Sequence, residues 1–481
     1  MARGNRRDDS GVAVRRQLLF PRPASHARIC HRTTLPDVCP QPAQDNSGDW
    51  TGNEDCLFVV LYVPDSFNGS TLAWIHGGSL LVGGANDPLI DGSALALATQ
   101  SIVAVVQYRL GVLGFLPPLP GGSTPNDNLG VRDAILALNI LHTILPSFGA
   151  SPTLDVSLGG QSAGAMLIRA ILASPSASSL FNRVILHSDV LDYGFFNTST
   201  LTTLQNNFFP MLNCTATDPT CQNALALGDI MEAQMNFNAA QFDGSTAGPI
   251  PFRPVHDGSL ITSTLTHSFP TTRKPMLVTT ANDEGAAMIF SGIPVVLPTP
   301  LFGSVLSSLI PDFRAQAVLN SGLYALDSND SDTVRNQLKQ VVTDLAWRCP
   351  DWTFAKAWAT GGGTVFTGFF ERGGLHGSNI DIPFCASETH VCHTDDVPIL
   401  FGTQPNPTST QAALIAEVQA RWSNFIHFSN PNPSGLPTWT GTTSAAVNTF
   451  VLGGSTPVAA GACANFWGTP TAPFDYQIWG L

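Results

Sequence analysis

The chain reads as an α/β protein built on one large, mixed but mostly parallel sheet flanked by helices, and three observations lead there. Several apolar runs show no in–out alternation, so both faces of each strand must be covered. Such runs recur with helical segments between them, the order of strands and crossovers in a parallel sheet. One of them, Leu154-Asp155-Val156-Ser157-Leu158, leads into Gly160-Gln161-Ser162-Ala163-Gly164 and then into Met166-Leu167-Ile168-Arg169-Ala170-Ile171-Leu172. That is a strand, a turn of small residues and a helix in succession.

Length and composition bound the answer. At 481 residues, 43% hydrophobic and 12% charged, the chain can bury a large core and is not compositionally disordered. Length alone allows two or three domains. No composition break and no solenoid period marks a boundary, so residues 33–481 are expected to form a single domain. A net charge of -13 argues against a nucleic-acid partner. No apolar run approaches the length that crosses a bilayer. Residues 1–32 stand apart, with eight Arg against two Asp and no usable periodicity. They read as a basic, unstructured arm, with a basic docking segment as the alternative.

Past the arm, Cys39-Pro40-Gln41 opens a polar loop that closes at Glu54-Asp55-Cys56. A bridge from Cys56 to Cys39 would stiffen this flap by limiting its unfolded freedom, and Cys30 is the alternative partner. Leu57-Phe58-Val59-Val60-Leu61-Tyr62-Val63-Pro64 is a continuous apolar strand stopped by proline. Leu72-Ala73-Trp74-Ile75 and Ile102-Val103-Ala104-Val105-Val106 read the same way. Residues 128–145 are helical, because Ala134, Leu138, Leu141 and Leu145 recur at helical spacing. Val184-Ile185-Leu186 and Met276-Leu277-Val278 supply two further short strands. Cys214 and Cys221, seven apart in a polar loop, are placed to bridge locally. Residues 290–345 are loop- and helix-like.

The Gly-x-Ser-x-Gly pattern alone decides little, since at this chain's glycine and serine content chance supplies it in about one such chain in three. What matters is whether the partners of a serine nucleophile stand in order around it. A serine hydroxyl needs a histidine to take its proton, a carboxylate to orient that histidine, and N–H groups aimed at the developing oxyanion. His76-Gly77-Gly78-Ser79 directly follows the strand at 72–75, and glycines at a strand end expose N–H groups. The donors would be Gly78, Ser79 and Ala163. Glu284, in Thr279-Thr280-Ala281-Asn282-Asp283-Glu284-Gly285, sits just past a strand, where carboxylates of open α/β sheets act. Asp283 is the neighbour that could take the role instead.

The base should follow the acid in chain order. Beyond Glu284 stand His376, His390, His393 and His427. His427 lies in a helical stretch and reads as structural. His376 in Gly374-Leu375-His376-Gly377 and His393 in Val391-Cys392-His393-Thr394 are both loop candidates, and local chemistry does not separate them. Cys385, His390, Cys392 and His393 lack the spacing of a structural zinc site. A Cys385–Cys392 bridge pinning the His393 loop is the simpler account, and no metal is expected.

These motifs together resemble the type-B carboxylesterase/cholinesterase family of α/β-hydrolases, its fungal members above all. Glu54-Asp55-Cys56-Leu57 with Leu61-Tyr62-Val63-Pro64 is similar to the strand after the family's first disulfide. Trp74-Ile75-His76-Gly77-Gly78 resembles its oxyanion turn. Tyr108-Arg109-Leu110-Gly111 with Gly114-Phe115-Leu116, and Asn128-Leu129-Gly130-Val131-Arg132-Asp133, are similar to its next motifs. Phe148-Gly149-Ala150-Ser151-Pro152 leads into Gly160-Gln161-Ser162-Ala163-Gly164-Ala165 as the family signature does. Pro254-Val255-His256-Asp257-Gly258, Asn282-Asp283-Glu284-Gly285 and Cys392-His393-Thr394-Asp395-Asp396-Val397-Pro398 with Phe401-Gly402 complete the match, from about residue 36 to the end.

The resemblance implies an α/β-hydrolase fold and hydrolysis of carboxylic esters through an acyl-enzyme. Residue by residue it implies Ser162 as nucleophile, Glu284 as acid and His393, rather than His376, as base. It further implies Gly78, Ser79 and Ala163 as oxyanion donors and Ser188 as a serine supporting acid and base. Its disulfides correspond to Cys39–Cys56 and Cys214–Cys221. Neither metal nor organic cofactor is implied, and the partner is a small-molecule ester. Short-chain and aryl esters are favoured over long acyl glycerols, because the flap between Cys39 and Cys56 is short. The alternative is a catalytically inactive binding protein of the same family.

Ser79 stands where the family has a third glycine, Gln107 where it usually has Asn, and Ala150-Ser151 where it has Gly-Asp. The family's first strands have no visible counterpart, which would leave a sheet edge exposed. Nine cysteines and sequons at Asn68, Asn197, Asn213 and Asn329 point to a secreted glycoprotein. The basic start, Met1-Ala2-Arg3-Gly4-Asn5-Arg6-Arg7, lacks the apolar run of a signal peptide. Cysteine usage outweighs that, so the natural beginning is expected to be missing or replaced.

Overall fold

The structure, a computed structural model, describes residues 5–7, 13–20, 28–30, 35–45, 47–116, 127–150, 155–191, 193–241, 250–455, 457–459, 461–464 and 466–467. Strands drawn from almost this whole length meet in one 11-stranded sheet. They are β1 (Asn5–Arg7), β2 (Ala13–Phe20), β3 (Arg28–Cys30), β4 (Val59–Pro64), β5 (Ser70–Ile75), β6 (Ile102–Val106), β7 (Asp155–Gln161), β8 (Arg183–His187), β9 (Met276–Ala281), β10 (Val365–Phe370) and β11 (Thr449–Leu452). Across the sheet they run β1-β2-β4-β6-β5-β7-β8-β9-β10-β11, with β3 also on β2. From β6 onward every pairing is parallel, and the pairings on the amino-terminal side are antiparallel.

The absence of alternation in the apolar runs has the predicted cause. Val59, Leu61 and Val63 of β4 enter the core on one face, and Val60 and Tyr62 enter the core on the other. Helices α1 (Leu129–Ile144), α2 (Ala163–Leu172) and α3 (Cys349–Thr360) cover the first face. Helix α4 (Ser409–Phe428) covers the second through Leu414, Val418, Trp422 and Phe425. Each fully buried Val or Leu contributes roughly 1.5–3 kcal/mol, so a sheet covered twice draws on both faces of every strand. Val131, Ala134, Leu138 and Leu141 make the buried stripe of α1, and Leu145 opens a 3-10 turn (Leu145–Phe148) in which Pro146 cannot continue the α-helical hydrogen bonding. Contrary to the sequence reading, residues 129–148 are long and apolar enough to cross a membrane by length and composition, yet half of that stretch is buried inside the protein. It is a core helix here.

The amino-terminal edge corrects the sequence reading, which leaves residues 1–32 as an unstructured arm and finds no strands ahead of the first disulfide. Residues 13–20 instead lie along β4, in register from Val14 beside Pro64 to Leu19 beside Val59. Without β2, strand β4 would present a row of unpaired N–H and C=O groups. Ala13-Val14-Arg15-Arg16-Gln17-Leu18-Leu19-Phe20 carries enough β-forming residues to pair there. Backbone hydrogen bonding is indifferent to the arginine content that prompted the other reading. Leu154, expected to open β7, lies outside the described residues, as do Ser151 and Pro152.

Register brings the loops of interest together. Ile75 stands beside Gly160, Gly160 beside Leu186, and Leu186 beside Val278. The chain therefore leaves β5, β7, β8 and β9 at one carboxyl edge, where open parallel sheets build their sites. Among the described residues, four disulfides join Cys39–Cys56, Cys214–Cys221, Cys349–Cys463 and Cys385–Cys392.

Candidate active site

Ser162 stands between β7 and α2 with φ 56° and ψ -123°. A non-glycine residue in that region costs of order 1–3 kcal/mol, which the surrounding packing must offset. Small neighbours make the turn sterically possible. A Cβ on Gly164 would lie 2.1 Å from the Ile75 carbonyl oxygen, and one on Gly160 would lie 2.8 Å from the same atom. The Ser162 N–H donates to the His187 carbonyl at 2.8 Å, fixing the turn to the end of β8. Only 5% of the serine is exposed.

From Ser162 a hydrogen-bonded line runs inward. Its Oγ lies 2.8 Å from His393 Nε2. His393 Nδ1 lies 2.6 Å from Glu284 Oε2. The other carboxylate oxygen, Oε1, accepts the Ala281 N–H at 2.6 Å. Glu284 is 1% exposed, whereas the His393 ring keeps an open side. The alternatives are turned elsewhere. Asp283 pairs with Lys339 and accepts from Asn282. His376 Nδ1 contacts Ser378 Oγ at 2.8 Å. His390 stacks on Phe384 and bonds its carbonyl. His427, on α4, reaches Ser70 and the Thr99 carbonyl.

Several restraints hold the His393 loop. The Cys385–Cys392 bridge engages both sulfurs, so neither is a thiolate available to a metal. The Asp283 N–H donates to the Val391 carbonyl at 2.9 Å, tying the Glu284 loop to the His393 loop. Buried Asp395 accepts from the N–H groups of His376 and Cys392 and from Asn379 Nδ2. Asn379 also donates to the His393 carbonyl at 2.9 Å. The Trp347 ring packs 5.1 Å from the imidazole.

The turn after β5 lies against the serine. A Cβ on Gly77 would sit 2.6 Å from Gln161 Oε1 and 3.2 Å from Ser162 Cβ. Gly78 has φ 109°, and a Cβ there would be 2.1 Å from the Val82 carbonyl. Ser79 and Leu80 follow at φ 56° and 58°, in the left-handed region despite their side chains. Ala163 opens α2, where an N–H has no partner within the helix. Buried His76 stacks on Tyr108, whose hydroxyl donates to the His76 carbonyl. Burial holds the His76 imidazole down at about 4, so it is neutral near pH 7.

The supporting role that the family resemblance implies for Ser188 is not visible as a direct hydrogen bond. Its Oγ is buried and has no hydrogen-bond partner among the described residues, so it supports neither Glu284 nor His393 by such a bond. Two features of the surroundings escape sequence reading altogether. Gln161 Nε2 lies 3.3 Å from His393 Nε2. Asp351, at the start of α3, is buried, and neither of its carboxylate oxygens has a hydrogen-bond partner among the described residues. Burial first, then the like charges of Asp189 and Glu284, push its carboxyl well above the usual range. Nothing local in Arg348-Cys349-Pro350-Asp351 signals this position.

A family model described as the carboxylesterase family matches residues 19–460. Para-nitrobenzyl esterase of Bacillus subtilis (strain 168) is 40% identical over 166 residues, which span 33% of this chain and 34% of that protein. Acylcarnitine hydrolase of Rattus norvegicus is 27% identical over 414 residues, 80% of this chain and 69% of that one. Among solved structures, a PNB esterase superposes with a TM-score of 0.70 at 25% identity, covering 87% of this chain and 84% of its own. The twice-covered, mostly parallel sheet is that of the α/β-hydrolase carboxylesterases.

Proposed function

Because this chain belongs to the carboxylesterase family and is thereby a carboxylic ester hydrolase, we propose that it works through a triad of Ser162, His393 and Glu284 and a covalent acyl-enzyme. Ser162 Oγ attacks the acyl carbon while His393 Nε2 takes the hydroxyl proton. Glu284 keeps the opposite ring nitrogen protonated and stabilises the imidazolium that forms. The tetrahedral oxyanion is received by the N–H groups of Gly78, Ser79 and Ala163. As it collapses, the proton on His393 passes to the departing alkoxide, leaving Ser162 acylated. Water then attacks the acyl carbon, again giving its proton to His393, and the acid leaves as Ser162 recovers its hydrogen.

The observation that carries this reading is the unbroken pair of contacts, 2.8 Å from Ser162 Oγ to His393 Nε2 and 2.6 Å from His393 Nδ1 to Glu284 Oε2. Short-chain and aryl esters are the proposed substrates, on the strength of the short flap closed by Cys39–Cys56. Four disulfides among the described residues suit an oxidising compartment. We therefore place the protein outside the cytosol, with N-glycans at its exposed sequons. The test is turnover of p-nitrophenyl acetate and butyrate by purified protein beside Ser162→Ala. Wild-type activity well above the variant's is expected. Equal rates would overturn the catalytic role and leave a binding protein.

A further inference from the structure

Behind the serine and the base lies a second histidine–aspartate pair that the ester-cleaving reading does not use. His187 closes β8 and is fully buried. Its carbonyl accepts the Ser162 N–H at 2.8 Å. Its ring Nδ1 is hydrogen-bonded to Asp396 Oδ2, and Asp396 is the third residue after His393, equally buried. Its ring Nε2 faces the indole N–H of Trp422, 3.1 Å away.

The indole can only donate, so Nε2 must be the acceptor. The single proton of a neutral imidazole is then on Nδ1, where it is donated to the Asp396 carboxylate. One tautomer satisfies both partners. The ring is further fixed by edge contacts with Trp74 and Trp422, at centroid distances of 5.5 and 5.2 Å. The charged or titratable groups around this pair are few: Asp395 precedes Asp396 and is bound to the N–H groups of His376 and Cys392, and Asp396 also acts electrostatically on His376.

One residue thus holds the nucleophile's backbone with its main chain and the base's loop with its side chain. Ser162 and His393 are 231 positions apart in the chain, and among the described residues His187 is bonded to both of their local segments. We propose that His187 is a positioning residue that sets Ser162 against His393, acting through Asp396. This rests on the reading of Ser162 and His393 as the reacting pair.

The experiment compares His187→Leu with His187→Asn in the full chain. Both lose the ring and the Trp422 contact, and both carry four side-chain heavy atoms in the same branching. Only asparagine keeps an N–H where Nδ1 stood. Turnover of p-nitrophenyl butyrate is measured per active site titrated to completion with a fluorophosphonate. For His187→Leu, kcat should fall about 100-fold, the order of loss expected from misplacing reacting groups by about an ångström, with KM changed less than about threefold. His187→Asn should recover at least about tenfold of that loss. Equal kcat in the two variants, or a wild-type kcat in His187→Leu, would overturn the proposal. If His187→Leu does not fold, Asp396→Asn decides, with about tenfold lower kcat at unchanged KM expected and wild-type kcat overturning. A Ser162→Ala arm separates the two claims. Activity there sinks the site itself, whereas a dead Ser162→Ala beside a fully active His187→Leu sinks only the role of His187.

Discussion

His393 Nδ1 lies 2.6 Å from Glu284 Oε2, while the adjacent Asp283 turns away to Lys339. Two neighbouring acids thus have different work. Glu284→Gln cannot hold the imidazole in the same tautomer and charge, and kcat should fall by roughly 10³ to 10⁴ with KM nearly unchanged. Asp283→Asn should cost stability through the lost Lys339 pair but less than about tenfold in kcat, because it does not face the ring. Steady-state kinetics on both variants checks this. The reverse ranking would reassign the acid.

The turn proposed to receive the oxyanion carries two backbone constraints of different kinds. Ser79 sits at φ 56° with its side chain, so Ser79→Gly should gain about 1 kcal/mol in urea unfolding and leave kcat within a few fold. Gly78 has no such freedom, since a Cβ would meet the Val82 carbonyl at 2.1 Å. Gly78→Ala should destabilise the fold and lower kcat by about 10² or more, the loss of one oxyanion donor. A silent Gly78→Ala would contradict the placement of the hole.

Two buried groups give stability opposite slopes against pH. His76 is held at about 4 against an ordinary 6.5, by burial. Between those values the unfolded chain takes up a proton that the folded one refuses, so this contribution is complete above 6.5 and lost as pH falls towards 4. Asp395 is pushed up from 3.8 to about 7, again by burial. There the folded chain holds a proton that the unfolded one has released, so its contribution is complete below 3.8 and lost as pH rises through 7. In urea titrations from pH 4 to 8, wild type should lose ground to His76→Phe on the acid side. It should lose ground to Asp395→Asn as pH rises from 4 to 7. Parallel curves for either pair would contradict its assignment.

The disulfides should differ in what they stabilise. Cys385–Cys392 closes a separation of 7 residues, and Cys349–Cys463 one of 114. The chain-entropy model gives about 2 kcal/mol for the first and about 5 for the second. Replacing both cysteines of a pair by serine should therefore cost more stability at 349 and 463. The larger loss of kcat should come at 385 and 392, next to His393. Thermal melts read beside kcat separate the two effects.

Sequence reading singled out Ser162, Glu284 and the turn at 76–79, which the structure brings to one end of the sheet, because each is a short local pattern at a strand end. It left His376 and His393 equal until the family motif was considered, because what separates them is contact with Glu284 across 109 positions. It passed over β10, whose Val365-Phe366-Thr367-Gly368-Phe369-Phe370 is interrupted by glycine, and β2, whose arginines hide a strand that only β4 explains. His187 and Asp396 carry no local signal, since their role exists only once β8 and the His393 loop are side by side.

The most direct measurement is to label the protein with a fluorophosphonate and locate the adduct by peptide mass spectrometry. The triad proposed for Ser162, His393 and Glu284 predicts one adduct, on Ser162, formed far more slowly in His393→Ala and absent in Ser162→Ala. An adduct on any other residue, or labelling that survives Ser162→Ala, would contradict it.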